Sequence, residues 1–268
     1  MKRVAYTRGN HQLTRGSPYT VSGTLRSAGD HWAAPPQRTR AQVIPFGEAA
    51  FLVELGGEPD LTVNARVHAL AAALDTAPPP ALRTLIPAYT SLLVEFDPLV
   101  VDPAVVETAI YSTVERPLAA GARPGRPRIV PTVYGGKYGP DLDAVAALVG
   151  LTPSEVVARH AGSEQTVYML GFAPGFPYLG DLPPELSVPR LETPRERVPA
   201  GSVAIAGRQT GIYPCATPGG WRILGRTPIR LFDERRDPPA YLAPGDRVRF
   251  APIAPSEWER HAGAAADW

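Results

Sequence analysis

From residue 128 onward, proline and glycine cut the chain into short runs of Val, Ile, Leu and Phe. This punctuation constrains the fold more than any other feature. Proline lacks a backbone N–H and fixes φ, so regular helix stops at it, while glycine supplies the torsions that tight turns need. The 268 residues include 32 Pro and 25 Gly. Set in polar tracts, such residues signal disorder; set between short apolar runs, they signal a turn-rich β fold. The second pattern holds here. Residues 166–170, 201–205, 211–213, 221–225 and 248–250 are the clearest expected strands. Repeated short strands with Gly/Pro turns argue for a closed or nearly closed barrel.

The stretch before residue 128 reads differently. Residues 1–40 show no sustained periodicity and are expected to be a mobile N-terminal extension. An α+β unit follows over 41–115. Strands are expected at 41–45 and 49–55, then a helix over 63–74 with Val63, Val67, Leu70, Ala71 and Leu74 on one face and Thr62 as N-cap. Pro78-Pro79-Pro80 ends that helix, and strands at 82–87 and 91–96 flank Ala88-Tyr89-Thr90. A second helix, 103–114, starts after Asp102. The linker is placed at 116–127, the barrel domain at 128–255 and a C-terminal tail at 256–268. Within the barrel domain, helices are expected at 141–149 and 153–159, the latter with Thr152 and Glu155 as a capping box.

Composition excludes several functions. Lys+Arg 27 against Asp+Glu 26 gives a formal charge of +1, which leaves no electrostatic footprint for nucleic acid. A single cysteine, Cys215, rules out an internal disulfide framework and cysteine-rich metal sites. No apolar run approaches the roughly 20 residues that cross a bilayer, and no secretory h-region follows Lys2-Arg3. A cytoplasmic location is the default expectation.

Standard catalytic motifs are missing. The sequence has no GxxxxGK[ST], no GxGxxG between strand and helix, no HExxH, no CxxC and no GxSxG. His11, His31, His68, His160 and His261 are spread without ligand spacing, so no metal site is expected. Three stretches stand out instead: Gly171–Gly180, Val198–Pro214 and Thr217–Pro228. The first is read as a stiff loop presenting Phe172, Phe176 and Tyr178, with Gly175 at its turn. The second carries Arg208, Gln209 and Thr210 at an expected hairpin tip.

Most of these glycines are turn formers of a β-barrel. The functional alternative is a pocket for a small polar amide or acid. Gln209 and Thr210 would meet a planar amide, an Arg would fork onto its oxygens, and Trp221 or Phe176 would cover its apolar side. A third reading makes the aromatic loop a docking site for a partner. The candidate catalytic residues are His160, Gln209, Thr210 and Arg222. The candidate substrate-binding residues are Phe172, Gly175, Phe176, Tyr178, Arg190, Gly211 and Trp221. Against these stand structural readings: His160 closes a helix and favours its dipole, and Lys137 with Asp141 forms a salt-bridged turn.

These motifs, with Leu231-Phe232-Asp233 and Pro244–Phe250, resemble the 5-oxoprolinase B-subunit family, also called the KipI or allophanate hydrolase subunit 1 family. Tyr134-Gly135-Gly136, Gly139–Leu142, Asn64 and Pro87–Leu92 fit it too, so the resemblance covers about 41–253. Asp181, Gln165 and Arg208 depart from the family pattern. The resemblance implies an α+β protein with a ferredoxin-like N-terminal domain followed by a cyclophilin-like β-barrel. It implies ATP shared with partner subunits, and no metal or biotin site in this chain. The implied partners are a biotin-dependent carboxyltransferase-like C subunit and a LamB/YcsF-like A subunit, which together open 5-oxo-L-proline to L-glutamate. A urea carboxylase or allophanate hydrolase role and a regulatory histidine-kinase inhibitor are the alternatives within the family.

Overall fold

The expected α+β unit begins with a hairpin, β1 (Gln42–Pro45) and β2 (Ala50–Glu54), in which Val43 faces Val53. The computed structural model describes residues 41–116, 125–180 and 182–264, with the backbone only at 263 and 264. The expected N-terminal extension, most of the linker, Asp181 and the last four residues lie outside the described residues.

Helix α1 (Leu61–Thr76) follows the hairpin. Its N-cap is Asp60 rather than Thr62: the Asp60 carboxylate accepts from Thr62 N at 2.8 Å and Val63 N at 3.1 Å. A carboxylate at this position satisfies two orphan amides, where a threonine hydroxyl satisfies one. Strands β3 (Leu82–Pro87) and β4 (Ser91–Phe96) and helix α2 (Pro103–Val114) complete the unit. The antiparallel sheet has the order β1-β2-β4-β3. Val67, Leu70 and Leu74 of α1 and Val106 and Ile110 of α2 cover one sheet face, meeting Phe51, Val53, Leu92, Val94 and Phe96. Each fully buried aliphatic side chain contributes about 1.5–3 kcal/mol, so this helical face, not propensity, holds the sheet.

The ferredoxin-like expectation specifies βαββαβ. Here the order is ββαββα, and the strand beside β2 comes from its N-terminal side as β1.

The second unit is a closed seven-stranded barrel, as the turn spacing predicts. Its order is β10 (Gln209–Ile212), β7 (Pro177–Gly180), β6 (Gln165–Leu170), β13 (Arg247–Pro252), β5 (Pro127–Tyr134), β12 (Arg222–Arg226) and β9 (Ser202–Ala206). One pairing is parallel, β13 on β5. Val130, Val167, Leu179, Val203, Ile212, Val248 and Phe250 fill the interior, so the barrel is packed rather than hollow. Strands β8 (Arg195–Val198) and β11 (Thr217–Gly219) pair outside it.

Helices α3 (Leu142–Val149) and α4 (Pro153–Gly162) close one side over Leu182, Leu186 and Ile205, and the Thr152–Glu155 capping box forms as expected. The expected Lys137–Asp141 bridge does not. Asp141 is buried and accepts instead from Ile223 N and from Arg195, each at 2.7 Å, while Lys137 lies 5.2 Å over the Tyr138 ring. The stretch expected as a tail contains a further helix, α5 (Trp258–Ala264), whose Trp258 stacks on Tyr138 at 5.2 Å.

Candidate functional site

A cleft of about 580 Å³ opens where the sheet unit meets the barrel, within the size range of about 300–1,000 Å³ usual for small-molecule sites. Glu58, Pro59 and Tyr89 line it from the first unit; Tyr168, Gly180, Arg190, Ala206, Gly207, Arg208 and Gln209 line it from the second. The two units touch directly beside it. His68 Nε2 lies 2.7 Å from the Tyr168 carbonyl oxygen, and the Tyr89 ring packs on Tyr168 at 5.3 Å and edge-on to Tyr178 at 5.9 Å.

Tyr89 stands on the short turn between β3 and β4, and buried Asn64 on α1 fixes that turn. The Asn64 side-chain amide donates to Ala88 O and Tyr89 O, both at 3.1 Å. The Tyr89 hydroxyl is shielded from solvent and has no hydrogen-bond partner among the described residues. Leaving such a group unbonded costs about 1–3 kcal/mol, so it marks a place where a partner is expected from outside the described residues. Burial, then the neighbouring Tyr178 and Tyr168, push its ionisation well above the usual tyrosine range, and Arg190 pulls in the opposite sense. The hydroxyl is therefore a donor at any physiological pH.

Of the candidate catalytic and substrate-binding residues, the cleft gathers Arg190 and Gln209, and Arg208 of the expected hairpin tip lines it too. Gln209 opens β10, just after the two-residue turn Gly207-Arg208, whose flanks Ala206 and Gln209 pair. Arg190 is exposed, with its guanidinium 5.9 Å from the Trp221 ring.

His160 and Thr210 are elsewhere. Both are 0% exposed and sit inside the packed barrel. Tyr134 Oη lies 2.7 Å from His160 Nδ1, and His160 Nε2 lies 3.0 Å from Thr210 Oγ1, which donates to Ala204 O at 3.1 Å. Because Thr210 gives its only proton to Ala204, His160 donates from Nε2 and accepts from the Tyr134 hydroxyl at Nδ1. Burial lowers the His160 pKa to about 3, so the ring is neutral. The expected acid/base pair is thus a core tie: the helix C-terminus that suggested an accessible histidine is covered by the barrel.

The other candidates divide by role. Arg222 does not line the cleft; its Nε donates to Pro189 O at 2.9 Å and so braces the backbone next to Arg190. Phe176 and Trp221 are buried with Tyr213 in an aromatic cluster, with Tyr178 packed against it. Gly211 packs against that cluster, where a Cβ would stand 2.8 Å from Phe176 and 3.0 Å from Trp221. Gly175 lies against Phe232. Phe172 is 62% exposed, with φ at 63°, and presents its ring edge-on to Phe176 at 5.4 Å. For a bulky residue that backbone conformation is strained. The expected loop 171–180 is loop only as far as Phe176; Pro177–Gly180 is barrel strand β7.

Sequence reasoning missed Tyr89, Glu58 and Tyr168 as site residues. Tyr89 carried a signal, a tyrosine on a three-residue turn between strands, but only the docking of the two units gives that turn a cleft to face. Among the described residues no cluster of His, Cys, Asp or Glu is arranged to hold a metal ion, and no helix is long and apolar enough to cross a membrane.

A family model, the carboxyltransferase domain, subdomain C and D, matches residues 41–242. The 5-oxoprolinase B subunit of Bacillus subtilis (strain 168) is 44% identical over 233 residues, which is 83% of this chain and 96% of that protein. The chain belongs to the 5-oxoprolinase B-subunit family. A second family member, from Escherichia coli O157:H7, is 58% identical over 123 residues, covering 46% of this chain and 56% of its own. The crystal structure of TTHA0988 superposes with a TM-score of 0.68 at 40% identity, covering 76% of this chain. This chain spans only 40% of that one. The Kluyveromyces lactis urea carboxylase shares the fold at a TM-score of 0.70 and 20% identity, over 85% of this chain and 23% of the enzyme.

Proposed function

We propose that this chain is the B subunit of an ATP-dependent 5-oxoprolinase, which opens 5-oxo-L-proline to L-glutamate, and that the cleft between sheet and barrel is its contribution to the substrate site. The observation that carries this reading is the near end-to-end match to a protein named as the B subunit of 5-oxoprolinase. The cleft suits the chemistry. A lactam is a stabilised amide, and phosphorylating its oxygen makes the ring carbon a better electrophile for water. Cationic and N–H groups that hold the substrate in one orientation lower the barrier to that step. Gln209 is placed to hydrogen-bond a planar amide, as donor to its oxygen and acceptor from its nitrogen. The ATP site is proposed to be shared with the A and C subunits, because the sequence has no phosphate-binding loop of its own.

Co-expression with candidate A and C subunits tests this. Glutamate release from 5-oxoproline is expected only with all three chains and ATP present. Turnover by this chain alone, or a complete set that leaves 5-oxoproline untouched, would refute the assignment. Within the active complex, Gln209→Ala is expected to lower kcat/KM about tenfold, the loss of roughly one good hydrogen bond, without disturbing assembly on gel filtration. Unchanged kinetics would remove Gln209 from the site.

A further inference from the structure

The cleft holds groups for which the described residues supply no partners. Arg190 and Arg208 both line it, and neither forms an ion pair among the described residues. Glu58 lines the same cleft, so two guanidinium charges face one carboxylate and positive charge is in excess. Arg190 is exposed, but it springs from a fixed backbone. The backbone on either side of it is tied down, Pro189 O by Arg222 and Leu191 N by Gly220 O at 2.8 Å. Its guanidinium is near enough to Tyr89, Tyr178 and Tyr213 for its charge to ease the ionisation of all three against their burial. Tyr89 lines the same cleft from its Asn64-braced turn, and its hydroxyl has no hydrogen-bond partner among the described residues.

We infer that Arg190 and Tyr89 together hold the carboxylate of a small anionic amide across the cleft, one from the barrel and one from the sheet unit. The Arg190 guanidinium offers forked, charge-assisted N–H bonds to the two carboxylate oxygens, and Tyr89 donates its O–H to one of them. Arg208 adds a second cation on the neighbouring turn, and Gln209 faces the amide. Such a site selects an anionic lactam over a neutral amide, because a neutral ligand leaves Arg190 desolvated and unpaired. The inference rests on the proposed 5-oxoprolinase reading and names the residues that recognise its substrate. It also gives the α+β unit a direct share in binding.

The test uses the assembled three-chain enzyme and two probes, 5-oxo-L-proline as substrate and its neutral carboxamide as competitive inhibitor. Arg190→Ala is expected to raise the KM for 5-oxo-L-proline about 10- to 100-fold, the loss of a charge-assisted hydrogen-bonded contact. The KM for ATP and the carboxamide Ki should each stay within about threefold, so the preference for the carboxylate collapses. Tyr89→Phe keeps the ring packing and removes only the donor; it should raise the same KM about 3- to 10-fold. Arg190→Lys should fall between wild type and Arg190→Ala. If Arg190→Ala does not assemble, Tyr89→Phe and Arg190→Lys decide the matter by the same ratio. Wild-type ratios of KM to Ki in these variants, within an active complex, overturn the inference and leave the family-based assignment standing. A wild-type complex that never opens 5-oxoproline overturns the assignment itself.

Discussion

Between pH 6.5 and about 3, each unit of acidification is expected to remove on the order of 1 kcal/mol of folding stability through His160 alone. The ring is 0% exposed, and both its nitrogens are engaged, by Tyr134 and Thr210. Protonation at Nδ1 would set two donors against each other and bury a charge with no counter-ion. The unfolded chain takes up this proton near pH 6.5, whereas the folded chain resists until about 3. Within that window the unfolded state binds more protons, so stability is whole above the window and is lost as pH falls through it. Urea unfolding at pH 7, 6, 5 and 4 measures the slope, and His160→Gln separates it from the carboxylates that titrate nearby. At pH 7 the variant should be less stable by about 2–4 kcal/mol, through lost packing and hydrogen bonds. The gap between variant and wild type should narrow steadily on acidification. Parallel curves for the two proteins would mean that the histidine is not held neutral by burial.

Gly180→Ala is the other change with a large expected effect. A Cβ on Gly180 would lie 1.9 Å from Tyr168 Cε2 and 2.6 Å from its Cδ2, well inside van der Waals contact with a ring that is itself buried. The ring has little room to retreat. Tyr168 sits at the register irregularity between β6 and β7, and its carbonyl oxygen meets His68 of the sheet unit. Overpacking of this kind costs about 3 kcal/mol, which for a protein this size corresponds to a melting temperature lower by roughly 6–12 °C. Because Tyr168 and Gly180 both line the cleft, activity of the assembled enzyme should fall about tenfold or more as well. Differential scanning calorimetry and a kinetic assay read the two effects. The double variant Gly180→Ala/Tyr168→Leu, which relieves the clash, should recover part of the stability but not the activity. A single variant that melts within about two degrees of wild type would show that the ring moves freely and that the contact is not a constraint.

Local patterns made much of the fold legible. Strands β3 and β4 and helix α2 fall on the expected residues because alternation, helical spacing and the Asp102-Pro103 start are properties of neighbours in sequence. The capping box at Thr152 is legible for the same reason. The N-cap of α1 was displaced by competition between two nearby cap formers, Asp60 and Thr62, which spacing does not rank. Asp141 shows a longer-range failure: its partners Arg195 and Ile223 are 54 and 82 residues away, beyond the reach of any local reading. The site residues follow the same division. Gln209 and Arg190 lie at the cleft, and polar groups beside turns are conspicuous in a sequence. His160 and Thr210 lie away from it in the core, because burial inside a barrel is set by strands far apart in sequence.

What the sequence determined by itself is the family, the β-barrel with its Gly/Pro turns, and the helices and strands of the preceding unit, since each is written in spacing and residue type over a few positions. What only the tertiary structure decided is which polar groups share a space. Closure of β10 on β9 and β7 sends Thr210 inward and leaves Gln209 at the rim, and the docking of α1 and the β3–β4 turn against the barrel brings Tyr89 to Tyr168 and the cleft. Those outcomes depend on summed packing over surfaces that are contiguous only after folding, and no window of the chain contains them.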